Sequence, residues 1–370
     1  MRVVVTGATG NLGTALLRRL RTEDDVEVVG VVRRPPREAG GVRWVAADLA
    51  TPAAVPVLER AVEGADAVVH LAWLLQPSHR PELLEAANVE GTRRVAAAAL
   101  AAGAHLVHAS SVGAYAPRAV PVPDGTPTGG GADGPGGAAA GDPRDAVGED
   151  WPTTGVPTSL YSRQKVAAER LLDDLVRERP DARVARLRPG LVLQAAAGSE
   201  IGRYFLGGLV PLGLVRRVAL PAFPLPAEAV FQVVHADDVA DAVVRVLRTG
   251  ATGPFNLVTG PVLGPLDVAQ ALRVQRVATV PVGAVRALAS ATWRARLQPT
   301  DVGWVDLLTQ VPLLSSALAR DELGWAPRVG AATALVELLD AMSDGRGAAT
   351  PPLAARRGLG RRRSPGADAT

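Results

Sequence analysis

Short runs of apolar, mostly β-branched residues alternate with longer Ala/Leu/Arg segments through the first half of the chain. The runs at 3–6, 26–32, 43–46, 67–71, 105–109 and 183–187 are hydrophobic throughout instead of alternating, as in strands buried on both faces. Strand–helix repetition of this kind predicts an α/β architecture, a doubly wound parallel sheet with right-handed crossovers. From about residue 199 the rhythm changes. A proline-rich patch (Pro221, Pro224, Pro226) precedes a short strand ending at Val234, a helix from Asp237 and a strand at 255–258. Helical patterns follow near 266–274, 282–297, 313–323 and 332–342. The expected organisation is a sheet domain over 1–198 interleaved with a smaller, mostly helical C-terminal lobe over 199–342. The lobe would cover the carboxyl edge of the sheet, where open α/β folds bind substrate. Residues 117–150, built of Gly, Pro, Ala and Asp, read as a flexible surface insertion, and 343–370 as a disordered basic tail carrying Arg356, Arg357 and Arg361 to Arg363.

The composition, 48% hydrophobic and 21% charged over 370 residues, is that of a soluble globular protein. With no cysteine, disulfides, thiolate metal sites and a Cys nucleophile are excluded. No leader pattern follows Arg2-Val3-Val4-Val5, and the longest apolar run, near 206–214, is broken by Gly and Pro and stopped by Arg216-Arg217. A cytoplasmic location and no membrane partner are expected. The net charge of +3 comes from a chain that uses arginine almost wherever it needs a cation, a usage bias that gives no reason to expect nucleic acid. A small-molecule substrate and a possible homodimer are the expected partners.

Thr6-Gly7-Ala8-Thr9-Gly10-Asn11-Leu12-Gly13 follows the first strand and opens a helix carrying Leu16, Leu17 and Leu20. In that context Gly7 allows a tight turn, Gly10 lets backbone approach a pyrophosphate, and Gly13 allows close helix–sheet packing. The helix N-terminus then faces the anion, the Rossmann arrangement for a dinucleotide. The acid expected after the second strand to bind a ribose is replaced by Arg33 and Arg34. Guanidinium forks suit a 2′-phosphate, so NADP(H) is favoured, with NAD(H) as the other possibility. Asp48-Leu49, at the end of the third strand, is placed to receive the adenine amino group, or else Asp48 caps the segment starting near Pro52.

Of the 40 Lys plus Arg residues a single one, Lys165, is lysine, and it lies four residues after Tyr161, one of three tyrosines. That spacing puts both on one helical face. An ammonium is compact and shifts its pKa readily, where guanidinium is planar and permanently charged. Beside a phenol it would pull the tyrosine pKa toward neutrality and make it a general acid or base. His70 and His235 lack carboxylates at ligand spacing and read as structural; no metal is expected.

Ser110-Ser111 ends the fifth strand and Asn88-Val89-Glu90-Gly91-Thr92 lies in the long helix before it. With the glycine loop and the Tyr161/Lys165 pair, the chain resembles the extended short-chain dehydrogenase/reductase, or NAD-dependent epimerase/dehydratase, family over about residues 1 to 260. Val69-His70-Leu71-Ala72, Arg188-Pro189, Val234-His235-Ala236-Asp237-Asp238-Val239-Ala240 and Gly324-Trp325-Ala326-Pro327 match further family segments. The resemblance implies Tyr161 as proton donor or acceptor, Lys165 as phenol tuner and ribose ligand, Ser111 as partner of the reacting oxygen and Asn88 as relay support. It also implies that Gly7, Thr9, Gly10, Asn11, Leu12, Gly13, Leu71, Ala72 and Pro189 line the cofactor, and that Tyr115 is a pocket wall.

Two departures bear on substrate. Nucleotide-sugar epimerases of the family place Arg and Asn where this chain has Phe231 and Leu191, leaving Arg203, Arg216 or Arg217 as substitutes for gripping a diphosphate; sugar dehydratases place an Asp-Glu pair where it has Val112-Gly113. With Trp73, Phe205, Phe223 and Phe231 expected near the pocket, the leading expectation is hydride transfer to or from a small apolar carbonyl or alcohol. A nucleotide-sugar 4-epimerase and a non-catalytic dinucleotide sensor are the alternatives.

Overall fold

A computed structural model of the chain describes residues 1–37, 40–75, 79–118, 146–206, 222–298 and 300–354. Twelve strands occur among them: β1 Arg2–Thr6, β2 Glu27–Val32, β3 Arg43–Ala46, β4 Ala67–His70, β5 His105–Ala109, β6 Val184–Pro189, β7 Leu191–Leu193, β8 Phe223–Leu225, β9 Phe231–His235, β10 Gly253–Leu257, β11 Thr259–Leu263 and β12 Val277–Thr279. Seven form one parallel sheet in the order β10-β6-β5-β4-β1-β2-β3, so the chain runs outward from β1 in both directions. The order reverses beside β1, which leaves a crevice at the carboxyl ends of β1 and β4.

The solid apolar runs form strands because both faces are covered. On one face α1 (Asn11–Leu20) lays Leu16, Leu17 and Leu20 on Val3, Val5 and Val69, beside the helix Ala236–Thr249. Each such leucine contributes about 1.5–3 kcal/mol when fully buried. On the other face α2 (Val55–Val62), α3 (Pro81–Ala101) and α4 (Leu160–Glu178) cover Val4, Val68, Leu106 and Val184.

The C-terminal lobe carries helices together with two small sheets, β11-β9-β7 and β12-β8. Strand β10 belongs to the main sheet, so the chain returns to it after entering the lobe. The helix Val302–Gln310 escaped the sequence pattern because Gly303 weakens its start; the glycine is there because a Cβ would lie 2.7 Å from the Ser159 Cα.

Two expectations of looseness need correction. The chain from Ser343 to Ala354 packs on the lobe: Ser199 Oγ donates to the Arg346 carbonyl at 2.8 Å and Leu353 is buried. Both ends of the 117–150 segment are also held, since Arg118 N donates to the Gln310 carbonyl at 2.8 Å and Val147 N to the Leu313 carbonyl at 2.8 Å. In each case hydrogen bonds to backbone carbonyls supply the order that side-chain composition does not signal. Residues 119–145 and 355–370 lie outside the described part. Among the described residues, no helix is long and apolar enough to cross a membrane.

Candidate active site

The glycine loop spans the end of β1 and the start of α1. Gly7 has φ +70°, and a Cβ there would sit 2.6 Å from the Ala72 backbone nitrogen; one on Gly13 would sit 2.3 Å from the Gly7 carbonyl. Both are glycine because the fold leaves no room. Gly10 differs, since its Cβ would meet only the Gly7 carbonyl, at 3.3 Å. It is the N-cap of α1 with no capping side chain, and the first turn of α1 carries no acid. Free helix N–H groups beside an open glycine suit a pyrophosphate. Thr9 is buried in the loop and Leu12 packs on the core. Asn11 is held by Gln194, whose Nε2 donates to its Oδ1 at 2.7 Å, while Asn11 Nδ2 donates to the Val192 carbonyl at 3.1 Å.

Around this loop lie the other residues expected at the nucleotide. Arg33 and Arg34 follow β2 directly and are exposed. Asp48 Oδ1 accepts from Ala50 N at 3.1 Å, a local turn before Pro52, and Leu49 is buried against Gly91. Leu71 N donates to the Thr6 carbonyl at 3.1 Å, which puts Leu71 and Ala72 against the glycine loop, and Pro189 closes β6.

The residues expected to carry the chemistry stand at the carboxyl ends of β4 and β5. Ser159 caps α4 by accepting from Ser162 N at 3.3 Å, and Ser162 Oγ donates to the Gly113 carbonyl at 2.5 Å, fastening the helix start to the turn after β5. That turn brings Ser111 to the phenol of Tyr161. Gly113 permits the approach, because a Cβ there would lie 3.0 Å from the Tyr161 ring. Burial pushes the Tyr161 phenol up to about 12, and the Ser111 hydrogen bond acts in the opposite direction.

Lys165 is 3% exposed; its Nζ donates to the Ala109 carbonyl at 2.8 Å and lies 3.5 Å from the centre of the Trp73 ring. Burial brings it down to about 7, opposed by the charge of Glu169. The expected pull of Lys165 on the phenol is therefore corrected here: burial raises the phenol, only the Ser111 hydrogen bond opposes it, and Lys165 faces a carbonyl and an indole, 5.8 Å from the Tyr161 ring centre. Asn88 holds the loop after β4, accepting from Leu74 N at 2.7 Å and donating to the Leu74 carbonyl at 3.0 Å, and it also donates to Gln164 Oε1 at 2.9 Å.

The two histidines read as structural have structural partners. His70 bridges Thr6 Oγ1 (2.6 Å) and Thr92 Oγ1 (3.0 Å), and burial holds it down to about 3. His235 Nδ1 accepts from Asp237 N at 3.2 Å and caps the next helix.

The pocket walls differ from expectation. Trp73 is in place, edge-on to Tyr161 at 6.2 Å between ring centres. Phe231 lies in the lobe core with Leu263 and Leu335, and Tyr115 is fully buried, donating to Asn256 Oδ1 at 2.7 Å. Phe223 lies in β8, and the Phe205 side chain is outside the described part. The sequence reading missed Trp304, whose ring centre is 5.2 Å from that of Tyr161, and Glu169, buried one turn after Lys165. The i, i+4 spacing from Lys165 was the available signal for Glu169; nothing local flagged Trp304. Arg203 reaches the Pro352 and Ala354 carbonyls at 2.6 and 3.0 Å, and Arg216 and Arg217 lie outside the described part.

The profile of the NAD dependent epimerase/dehydratase family matches residues 3–257. An uncharacterized protein of Mycobacterium tuberculosis (strain ATCC 25618 / H37Rv) is 27% identical over 330 residues, covering 88% of this chain; the chain spans 28% of that protein's length. A ceramide reductase of Caulobacter vibrioides is 38% identical over 120 residues, 31% of this chain and 36% of that one. Among solved structures, the UDP-glucose 4-epimerase of Thermus thermophilus in complex with NAD superposes with a TM-score of 0.61 at 22% identity, covering 93% of this chain and 99% of the other. A likeness at that identity shows the fold.

Proposed function

Because the chain belongs to the NAD dependent epimerase/dehydratase family, we propose that it is an NAD(P)-dependent oxidoreductase acting on a C–OH/C=O group of a small molecule that presents an apolar surface. The observation that carries this reading is the convergence of Ser111, Tyr161 and Lys165 at the carboxyl ends of β4 and β5, beside the strand that feeds the glycine loop. The loop fits a dinucleotide by its open Gly10 and uncapped helix start. A nicotinamide nucleotide bound there would supply or accept the hydride. In reduction Tyr161 would give its proton to the substrate oxygen, and Ser111 would hold that oxygen by hydrogen bond. Lys165 balances the phenolate that remains.

The aromatic walls Trp73 and Trp304 support an apolar substrate, and Leu191 and Phe231 stand where nucleotide-sugar epimerases carry diphosphate ligands, which speaks against a diphosphate. Likeness to a ceramide reductase over 120 residues is in keeping with this. Exposed Arg33 and Arg34 favour NADP(H), while the NAD-bound epimerase sharing the fold favours NAD and the epimerase reading. Fluorescence titration with NADPH and NADH, with analysis of nucleotide retained on purification, separates them. An empty site preferring NADPH supports the reductase. Tightly retained NAD⁺ puts the epimerase first.

A further inference from the structure

Glu169 is 0% exposed on α4, one helical turn after Lys165 and on the same face. Its carboxylate accepts four hydrogen bonds. Arg188 donates to both oxygens, Nε at 2.9 Å and Nη2 at 2.9 Å, Arg186 Nη1 donates at 3.2 Å, and Ser110 Oγ donates at 2.6 Å. Burial alone would raise this acid; the hydrogen bonds and charge of Arg188, then the charge of Arg186, bring it below its ordinary value, so it is ionised. Beyond Arg188 lies Tyr115, whose hydroxyl accepts from Nη1 at 2.8 Å, and Asp173 on α4 accepts from Arg186 at 2.5 Å.

An acid needed only to neutralise core arginines has no use for the Ser110 hydroxyl, and a buried ion pair is weak grounds for a stability role by itself. Ser110 directly precedes Ser111. From the other side, Lys165 meets no charged group on β4 or β5, where His70 and His108 are both held neutral by burial. We propose that Glu169 is a positioning residue of the site, clamping Ser110 so that Ser111 is presented to Tyr161 and supplying a carboxylate charge one helical turn from Lys165. The inference rests on Ser111, Tyr161 and Lys165 being the reactive set.

The chain's single lysine makes the test direct, because protein labelled with lysine carrying ¹³C at Cε alone gives one such resonance, that of Lys165. In the full-length, nucleotide-free protein, Glu169→Gln is expected to lower the Lys165 titration midpoint by about 1 pH unit, the effect of removing a nearby opposite charge. Ser110→Ala, which keeps the carboxylate, is expected to leave that midpoint in place and to shift the ¹³Cζ resonance of Tyr161, assigned by its loss in Tyr161→Phe. An unmoved Lys165 midpoint in folded Glu169→Gln overturns the proposal. Should that variant not fold, Ser110→Ala decides alone, and an unshifted Tyr161 resonance overturns it. Neither readout needs a substrate, so a Tyr161→Phe protein that kept its turnover would sink the reactive set while leaving these titrations interpretable.

Discussion

Replacing Lys165 with Met should stabilise the nucleotide-free protein at neutral pH, by an amount that shrinks as pH rises. Burial brings the Lys165 pKa down from 10.5 to about 7. At 1.36 kcal/mol per pKa unit the fully protonated side chain destabilises the fold by about 5 kcal/mol. The folded pKa lies below the unfolded one, so in this window the unfolded chain holds a proton that the folded chain has lost, and stability rises with pH. Linkage gives a cost of about 4 kcal/mol at about pH 7 and about 2 kcal/mol at about pH 9. Methionine keeps an apolar stem without the charge. Tyr115 and Tyr161, both pushed up to about 12 by burial, stay protonated in both proteins through this window and drop out of the difference. Urea unfolding of both proteins at several pH values across the window measures the gap. Parallel curves, with no narrowing, would refute the account of Lys165 as a buried amine.

Three further outcomes are expected. Tyr161→Phe should cut turnover by about 10²–10⁴-fold, the usual worth of a general acid, with nucleotide affinity retained in fluorescence titration. Gly10→Ala should melt close to the wild-type temperature yet bind nucleotide poorly, whereas Gly13→Ala, whose Cβ would lie 2.3 Å from the Gly7 carbonyl, should lower thermal stability markedly. Arg33→Ala with Arg34→Ala should weaken NADPH binding by about tenfold or more and leave NADH unaffected; equal losses for both would remove the 2′-phosphate role.

The sheet was legible in the chain because burial on both faces writes itself as unbroken apolar runs, and five of the first six strands both begin and end within one residue of those runs. The glycine loop was legible for a related reason: Gly13 answers to backbone of the same strand–loop–helix unit, although the Ala72 backbone that Gly7 meets comes from the segment after β4. What stayed hidden depended on distant partners. Trp304 reaches Tyr161 from a helix more than a hundred residues later. Phe231 and Tyr115 look like pocket aromatics until the lobe sheet and the Arg188–Asn256 pair are seen to bury them. The small strands β7, β8, β11 and β12 are short and pair across the lobe, so no local period marks them.

The two shifted groups in the site also set a pH dependence for the proposed reduction. With its phenol pushed up to about 12, Tyr161 is protonated at neutral pH, so in the proposed reduction of a carbonyl it would enter as the acid. Once that proton has left, a phenolate stands in a buried place, and the charge available to balance it is Lys165, itself brought to about 7 by burial. The ammonium is present below that value and lost above it. Reduction should therefore slow as pH rises through about 7, and the midpoint of the rate profile should follow the Lys165 titration, moving down with it in Glu169→Gln. A reduction rate that stayed flat to about pH 9 would mean that the phenolate is stabilised without Lys165, and the pairing of the lone lysine with Tyr161 would lose its chemical meaning.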